Sequence, residues 1–154
     1  GSQERRRRAG TENVPLAVAF GAAAGIIRDL APMNDVAALR DRLEHDLRES
    51  ALPITINGAG ARRLPNTSSI TFHGADAEGI VIGLDLKGVA VSTGSACSSG
   101  RVEPSRILSV MGLSDDDARS TVRISLSRFT TSAEIDRAVE FIREVVPRCM
   151  RVAT

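Results

Sequence analysis

The stretch VAVSTGSACSSGRVEPS, residues 89–105, decides how the rest of the sequence is interpreted. It begins with four residues that alternate in the manner of a half-buried strand. From Gly94 to Gly100 it then contains only glycine, serine, alanine and one cysteine, Cys97. Side chains this small cannot build a packed core, so a loop is predicted after the strand. Composition alone leaves two interpretations of Cys97 open: a nucleophile on a movable loop, or an idle surface cysteine in a connection.

Nucleophilic chemistry at Cys97 would require a thiolate. A free thiol has a pKa of about 8.5 and needs a nearby cation or a helix N-terminus to ionise at neutral pH. Arg101, Arg106 and the helix predicted to begin at Pro104 could each contribute. Cys149 ends the last predicted helix and is expected to be an ordinary structural residue. Two cysteines at this spacing give neither a disulfide framework nor a metal site.

The overall composition is that of an ordinary globular domain. The chain has 154 residues, 42% hydrophobic and 25% charged, with a formal net charge of +1, which argues against a protein that coats nucleic acid. The longest uncharged run, residues 14–27, is short for a membrane span. No secretory signal is present in this sequence, so a reducing cytoplasmic location is expected.

Hydrophobic periodicity predicts an alternation of helices and strands. The first helix should be capped by Thr11, pack on one side, and end before Pro32; Asp76 should cap a later one. The predicted helices are residues 11–31, 34–50, 77–86, 104–112 and 132–146, and the predicted strands are residues 54–57, 68–74, 89–92 and 121–127. This order predicts an α/β (α+β) fold in which one small sheet is covered by helices.

Outside the loop, the strongest candidate for a binding residue is Arg123, in the middle of the last strand. It alternates with Val122 and Ile124 and therefore belongs to the face opposite theirs. Its guanidinium could be merely solvated, or it could bind a carboxylate through two parallel hydrogen bonds. The arginine run at residues 5–8, just before Thr11, is similarly either solvated or part of a phosphate site. His45 and His73 have no partner in the sequence and are expected to face solvent.

Four segments together resemble one family: QERRRRAGTENV, PNTSSITF, VSTGSACSSGRVEPS and VRISLSRFTTSAEIDRAVEFI. In this order and spacing they are similar to the C-terminal part of NifS/IscS-type cysteine desulfurases, pyridoxal-phosphate enzymes of the class V aminotransferase fold. The resemblance implies that residues 3–30 are an interdomain segment and helix belonging partly to a large domain that this chain lacks. Residues 31–154 would then be the small C-terminal domain that carries the catalytic cysteine loop.

The resemblance also implies a role for each candidate. Cys97 would accept sulfur from L-cysteine as a persulfide, leaving L-alanine, and pass it to acceptor proteins. Arg123 would bind the α-carboxylate of the substrate, and Thr11 would reach the cofactor phosphate of the neighbouring subunit in a homodimer. No metal ligand, membrane contact or direct nucleic-acid contact is expected.

Departures from the family limit what this chain should do by itself. In the family the cofactor lysine, the stacking histidine and the carboxylate that pairs with the pyridine nitrogen precede the QERRRRAGTENV segment. Lys87 is the single lysine here and lacks the context of a Schiff-base residue. The chain alone is therefore expected to be inactive and to hold no covalent pyridoxal phosphate. Alternatives are a stand-alone persulfide-carrier or docking module, a desulfurase dedicated to DNA phosphorothioation or tRNA thiolation rather than iron–sulfur cluster assembly, or a selenocysteine lyase.

Overall fold

A computed structural model describes residues 3–7, 9–27, 29–94 and 105–151. The chain divides into two compact units, Gly1–Pro32 and Met33–Thr154, and each is described by itself. Within the described ranges, none of the helices combines the length and the apolar content that crossing a bilayer requires.

The first unit contains a 3₁₀ turn, Gln3–Arg6, and one α-helix, α1, Val14–Ile26. The helix begins at Asn13, whose side-chain oxygen accepts a hydrogen bond from the backbone N–H of Leu16 at 3.1 Å. The prediction that Thr11 caps this helix is therefore wrong, because an asparagine two residues later fills that position. The predicted one-sided packing is also absent, since α1 is apolar around its circumference and has no buried residue.

The second unit is a four-stranded antiparallel sheet with five α-helices among its described residues. The strand order is β1-β2-β4-β3, so β2 and β4 are the interior strands. The elements are α2 Pro32–Arg48, β1 Ile54–Ile56, β2 Thr67–Phe72, α3 Ala77–Asp85, β3 Ser92–Thr93, α4 Arg106–Val110, α5 Asp115–Arg119, β4 Thr121–Ser125, α6 Ser132–Val145 and a final 3₁₀ turn Val146–Cys149. The predicted class, a small sheet covered by helices, is confirmed.

The core lies between one face of the sheet and helices α2, α3 and α6. Its fully or almost fully buried apolar side chains are Leu43, Leu47, Ile70, Phe72, Ile80, Leu84, Val122, Ile135, Ile142 and Val146. Each such side chain contributes roughly 1.5–3 kcal/mol to folding by leaving water. Because apolar residues alternate with polar ones along β4, burying Val122 and Ile124 assigns Arg123 to the other face.

Helix starts in this unit follow side-chain capping. The Asp76 carboxylate accepts from Gly79 N–H at the start of α3, as predicted. Thr131 and Glu134 form a reciprocal capping box at the start of α6. Helix α5 was not predicted from the sequence. Ser114 caps it, and three consecutive aspartates occupy its first turn, where negative charge is favourable.

A buried ionic cluster joins α2 to the connection that precedes β2. Glu44 is 2% exposed and accepts hydrogen bonds from both terminal nitrogens of Arg63, at 2.7 and 2.9 Å. The hydroxyl of Ser68, on the core face of β2, donates to the same carboxylate at 2.7 Å. Arg40, one turn earlier on α2, donates to the carbonyl of Leu64 at 2.6 Å. The cluster therefore attaches residues 63–68 to α2 from the core side.

This cluster determines the pKa of Glu44. Burial by itself would raise the pKa of the carboxyl, but the hydrogen bonds from Arg63 and Ser68 and the charges of Arg63 and Arg40 outweigh it. The pKa of Glu44 is therefore below its ordinary value. The unfolded chain protonates this carboxyl at a higher pH than the folded chain does, so its contribution to stability is present at neutral pH and is lost as pH falls through the folded pKa.

We expect Glu44→Ala to lower the free energy of unfolding at pH 7 by about 3 kcal/mol, because it leaves Arg63 partly buried without its partner. Glu49→Ala, at an exposed position just after the same helix, is the control and should change stability by less than about 0.5 kcal/mol. Glu44→Gln should reduce the loss of stability between neutral and acid pH. Urea unfolding at several pH values measures all three, and equal losses for the two alanine variants would contradict the prediction.

Candidate functional site

Arg123 is exposed on the face of the sheet opposite the core, next to the buried end of that face at Thr71 and Thr121. It lies in the middle of the interior strand β4, and its face is opposite that of Val122 and Ile124. Within the described residues no carboxylate pairs with Arg123, although Arg40, Arg63 and other arginines have such partners. A guanidinium held in this way by a rigid strand can bind a carboxylate or another planar anion.

Small hydroxyl side chains flank Arg123 on both neighbouring strands. Ser69 of β2 and Ser92 of β3 are its cross-strand partners, and Thr67 pairs with Ser125 one step along the same face. None of these residues carries charge, and none is long enough to cover the guanidinium. The cross-strand neighbours of Arg123 are therefore polar but neutral, so none of them competes for its charge with an incoming anion.

A ladder of hydrogen bonds extends from this site across the sheet. The Asn57 side-chain amide donates to the hydroxyls of Ser69 at 3.2 Å and Thr71 at 3.0 Å. Thr71 and Thr121 join their hydroxyls at 2.8 Å, and the Thr121 hydroxyl donates to the carbonyl of Asp117 at 2.7 Å. Asn57, Thr71 and Thr121 are buried, so these bonds satisfy polar groups that would otherwise destabilise the fold.

The loop with Cys97 starts beside this site. Cys97 itself lies outside the described residues, as do residues 95–104 around it. The described chain before the loop ends at Gly94, whose N–H donates to the carbonyl of Thr121 at 3.0 Å. Thr93, one residue earlier, pairs with Val122. Gly94, the last described residue before Cys97, therefore lies opposite Thr121, two positions along β4 from Arg123.

After the loop, the chain returns to the same place through Leu108 of α4. A β-carbon built on Gly94 would lie 2.6 Å from Cδ1 of Leu108, which is far inside van der Waals contact. Leu108 is 5% exposed. The absence of a side chain at Gly94 thus allows Leu108 of α4 to pack against Gly94, beside Thr121.

Thr11 belongs to the first unit, where it is exposed. The structure does not test its expected contact with a cofactor phosphate, nor the expected role of the arginine run before it. Both remain predictions.

Lys87 has partners of its own. Its ammonium pairs with the Glu144 carboxylate at 2.6 Å and lies 4.9 Å from the centre of the Phe141 ring. The hydrogen bond from Lys87 lowers the pKa of Glu144, with a smaller contribution from Arg148. These contacts hold the Lys87 side chain against Glu144 and Phe141 of α6.

Cys149 is half-buried, and burial together with the nearby negative charge of Asp76 raises the pKa of its thiol. Its sulfur packs close to Gly79 of α3. A raised pKa reduces the thiolate fraction and therefore reactivity.

His73 is only partly solvent-facing, which corrects the expectation of a partnerless side chain. Its Nδ1 lies 2.8 Å from the Asp117 carboxylate and its Nε2 lies 2.8 Å from the Thr55 hydroxyl. Hydrogen bonds from Ser114 and then from His73 lower the pKa of Asp117. His73 thus connects the edge strand to α5, whereas His45 is exposed as expected.

A cavity of about 270 Å³ in the described part of the second unit lies between the α3–β3 connection, the end of β4 and the start of α6. Its lining includes Val89, Val91, Leu126 and Ile135 but not Arg123. In the described ranges no group of three His, Cys, Asp or Glu side chains is arranged to hold a metal ion.

Comparison with known proteins gives consistent matches. The family model described as "Aminotransferase class-V" matches residues 1–138. A cysteine desulfurase of Trichormus azollae is 44% identical over 150 residues, which is 96% of this chain and 38% of the relative. The chain thus spans well under half the length of such curated relatives.

Two solved structures are also similar to this chain over most of its length. A NifS-like protein from Rickettsia africae matches with a TM-score of 0.80 and 33% identity, over 94% of this chain and 38% of that one. A structure described as SspA in complex with cysteine matches with a TM-score of 0.56 and 28% identity, over 85% of this chain and 35% of that one.

We expect Gly94→Ala to lower the free energy of unfolding by about 1–2 kcal/mol, because the new methyl group displaces Leu108. Gly60→Ala is the control, since a β-carbon there would have no neighbour within 4 Å. Leu108→Ala should cost less in the Gly94→Ala background than in the wild type, because the double variant removes the clash. Urea unfolding of the four variants tests this, and strictly additive losses would contradict the proposed contact.

Proposed function

This chain belongs to the aminotransferase class V family, and from that premise we propose that it is the C-terminal domain of a cysteine desulfurase. The observation that carries the proposal is the position of Arg123. Arg123 has no carboxylate partner among the described residues, its cross-strand neighbours are neutral serines, and it lies two positions along β4 from the residue opposite Gly94, the last described residue before Cys97. An amino-acid carboxylate is the anion that such a site would bind in a protein that acts on L-cysteine.

The proposed reaction moves one sulfur atom. The Cys97 thiolate forms a bond to the sulfur of L-cysteine, the carbon–sulfur bond of the substrate breaks, and the carbon takes up a proton to give L-alanine. Cys97 retains the sulfur as a persulfide and passes it to the thiol of an acceptor protein. Arg123 binds the substrate carboxylate throughout, and Thr11 would help to hold the cofactor phosphate of the neighbouring subunit in a homodimer.

The described residues do not provide the Schiff-base lysine that would hold pyridoxal phosphate, the cofactor implied by the family. Lys87 is the one lysine of the sequence, and its ammonium is paired with Glu144. We therefore assign the cofactor to a part of the protein outside this chain and derive no step through it. The contribution of this domain is to bind the carboxylate and to present the sulfur-accepting thiol.

We expect Cys97→Ser to reduce L-alanine formation from L-cysteine to the background rate in the protein that joins this domain to its cofactor-binding region. Cys149→Ser is the matched control and should retain nearly all activity, because the raised pKa of that half-buried thiol makes it a poor nucleophile. L-Alanine formation is measured in the wild type and in both variants. In the proteins that retain Cys97, the mass of the peptide containing this residue should also increase by one sulfur atom.

Alanine and persulfide formation at the wild-type rate in Cys97→Ser would contradict the assignment. Stable sulfur loading of Cys97 in the 154-residue chain by a low-molecular-weight persulfide, with no alanine production by the joined protein, would instead support the stand-alone carrier module.

A further inference from the structure

The two serines beside Arg123 occupy unequal positions. In an antiparallel pair of strands, hydrogen-bonded residue pairs alternate with non-hydrogen-bonded pairs, whose Cα atoms are closer, at about 4.5 Å instead of 5.5 Å. The bond from Phe72 N–H to the Ser120 carbonyl, at 2.8 Å, marks their pair as hydrogen-bonded. The pair of Ser69 and Arg123 lies three positions along the strands from the pair of Phe72 and Ser120. Because the two types alternate, Ser69 and Arg123 form a non-hydrogen-bonded pair with closely spaced side chains.

Ser92, on the other side, belongs to the wider type of pair. Gly94 N–H donates to the Thr121 carbonyl at 3.0 Å, which marks a hydrogen-bonded pair. The pair of Ser92 and Arg123 lies two positions along the strands from the pair of Gly94 and Thr121, so it is also a hydrogen-bonded pair. The Cα atoms of Ser92 and Arg123 are therefore farther apart than those of Ser69 and Arg123, which makes Ser69 the closer cross-strand neighbour of Arg123.

The hydrogen bonds of the ladder also fix the direction of the Ser69 hydroxyl. Thr121 uses its proton on the Asp117 carbonyl, so the 2.8 Å contact between Thr121 and Thr71 needs the proton of Thr71. The proton of Thr71 is then not used on the side-chain oxygen of Asn57, which lies farther away at 3.3 Å, and the Thr71 oxygen accepts from the amide nitrogen of Asn57 at 3.0 Å. That assignment places the second hydrogen of the same amide on the oxygen of Ser69.

Ser69 is consequently a hydrogen-bond acceptor towards Asn57, and its own proton is uncommitted among the described residues. Ser69 is half-buried, so this proton remains accessible from the face that carries Arg123. The Ser92 hydroxyl differs, because it donates to the backbone carbonyl of Thr93 at 3.2 Å. Of the two serines, only Ser69 combines the closer type of pairing with Arg123 and a hydroxyl proton that is uncommitted among the described residues.

We infer that Ser69 is a second hydrogen-bond donor to the carboxylate that binds Arg123, and that Asn57 orients it. The inference deepens the proposed function and rests on it, since it takes Arg123 as the carboxylate site. One oxygen of the carboxylate accepts from the guanidinium and the other from the Ser69 hydroxyl. The pair defines the orientation of the carboxylate on the sheet, which a single guanidinium on a flexible side chain would leave less well determined.

The test uses the 154-residue chain with ¹⁵N-labelled arginine and acetate as the probe. The Nε–H signal of Arg123, assigned with Arg123→Ala, is followed by NMR during an acetate titration at constant ionic strength, with the neutral isostere acetamide as the ligand control. We expect Ser69→Ala to weaken acetate binding about fivefold to tenfold, the effect of losing one hydrogen bond to a charged group. Ser69→Thr retains the hydroxyl and should stay within about twofold of wild type, as should the matched control Ser92→Ala.

Each outcome has a defined meaning. If the Arg123 signal responds to acetate equally in wild type and Ser69→Ala, Ser69 is not a donor and the inference is overturned, while the proposed function is unaffected. If acetate shifts the wild-type signal no more than acetamide does, Arg123 is not a carboxylate site. The inference is then overturned, and so is the proposed role of Arg123 in binding the substrate carboxylate. The Cys97 measurement remains a separate test of sulfur transfer. Unchanged amide shifts of β2 in ligand-free Ser69→Ala show that the strand is intact, so a weakened response reports the lost donor.

Discussion

The register of β4 between β2 and β3 is the constraint on which the rest of the second unit depends. Side chains alternate between the two faces with a period of two residues, so a slip of one residue would exchange the faces. Val122 and Ile124 would then lie in water, and the guanidinium of Arg123 would enter the core without a partner. An unpaired buried charge is far more costly than any gain from re-pairing the backbone. Burial of two aliphatic side chains therefore determines where the binding face lies.

The core side of the sheet also supports the site through the Glu44 cluster. Arg63 and Ser68 bind this carboxylate from the connection between β1 and β2 and from β2 itself. Asn57 lies at the other end of the same connection and pairs its backbone N–H with the Ser69 carbonyl at 2.8 Å. The ionic cluster and the amide thus restrain one segment from opposite faces. Because Asn57 is held in place, its side-chain amide can determine which hydroxyl groups of the ladder donate and which accept.

The sequence predicts the parts of this fold that depend on local pattern. The alternation in residues 121–127 identified the face of Arg123, the Asp76 cap is at the expected residue, and the stripe of α6 is buried at Ile135, Val139 and Ile142. Features that depend on distant partners were not predictable. Helix α5 is only five residues long and is defined by its Ser114 cap rather than by an apolar stripe. The partners of His73 come from β1 and α5, which are far from it in sequence. Cys97 was identified by composition and family resemblance, and the structure does not describe it.

The neutrality of the surface around Arg123 follows from what a ligand site requires. A carboxylate side chain at position 69 or 92 would be tethered within reach of the guanidinium, and a tethered group competes at an effective concentration in the millimolar range or above. Such a partner would exclude a free carboxylate of moderate affinity. Apolar neighbours would instead displace water from the guanidinium without offering it a hydrogen-bond acceptor, which is unfavourable. Serine avoids both effects, because it is short, uncharged and able to donate or accept. Serine at positions 69 and 92 of the two neighbouring strands therefore leaves the guanidinium of Arg123 accessible to a ligand.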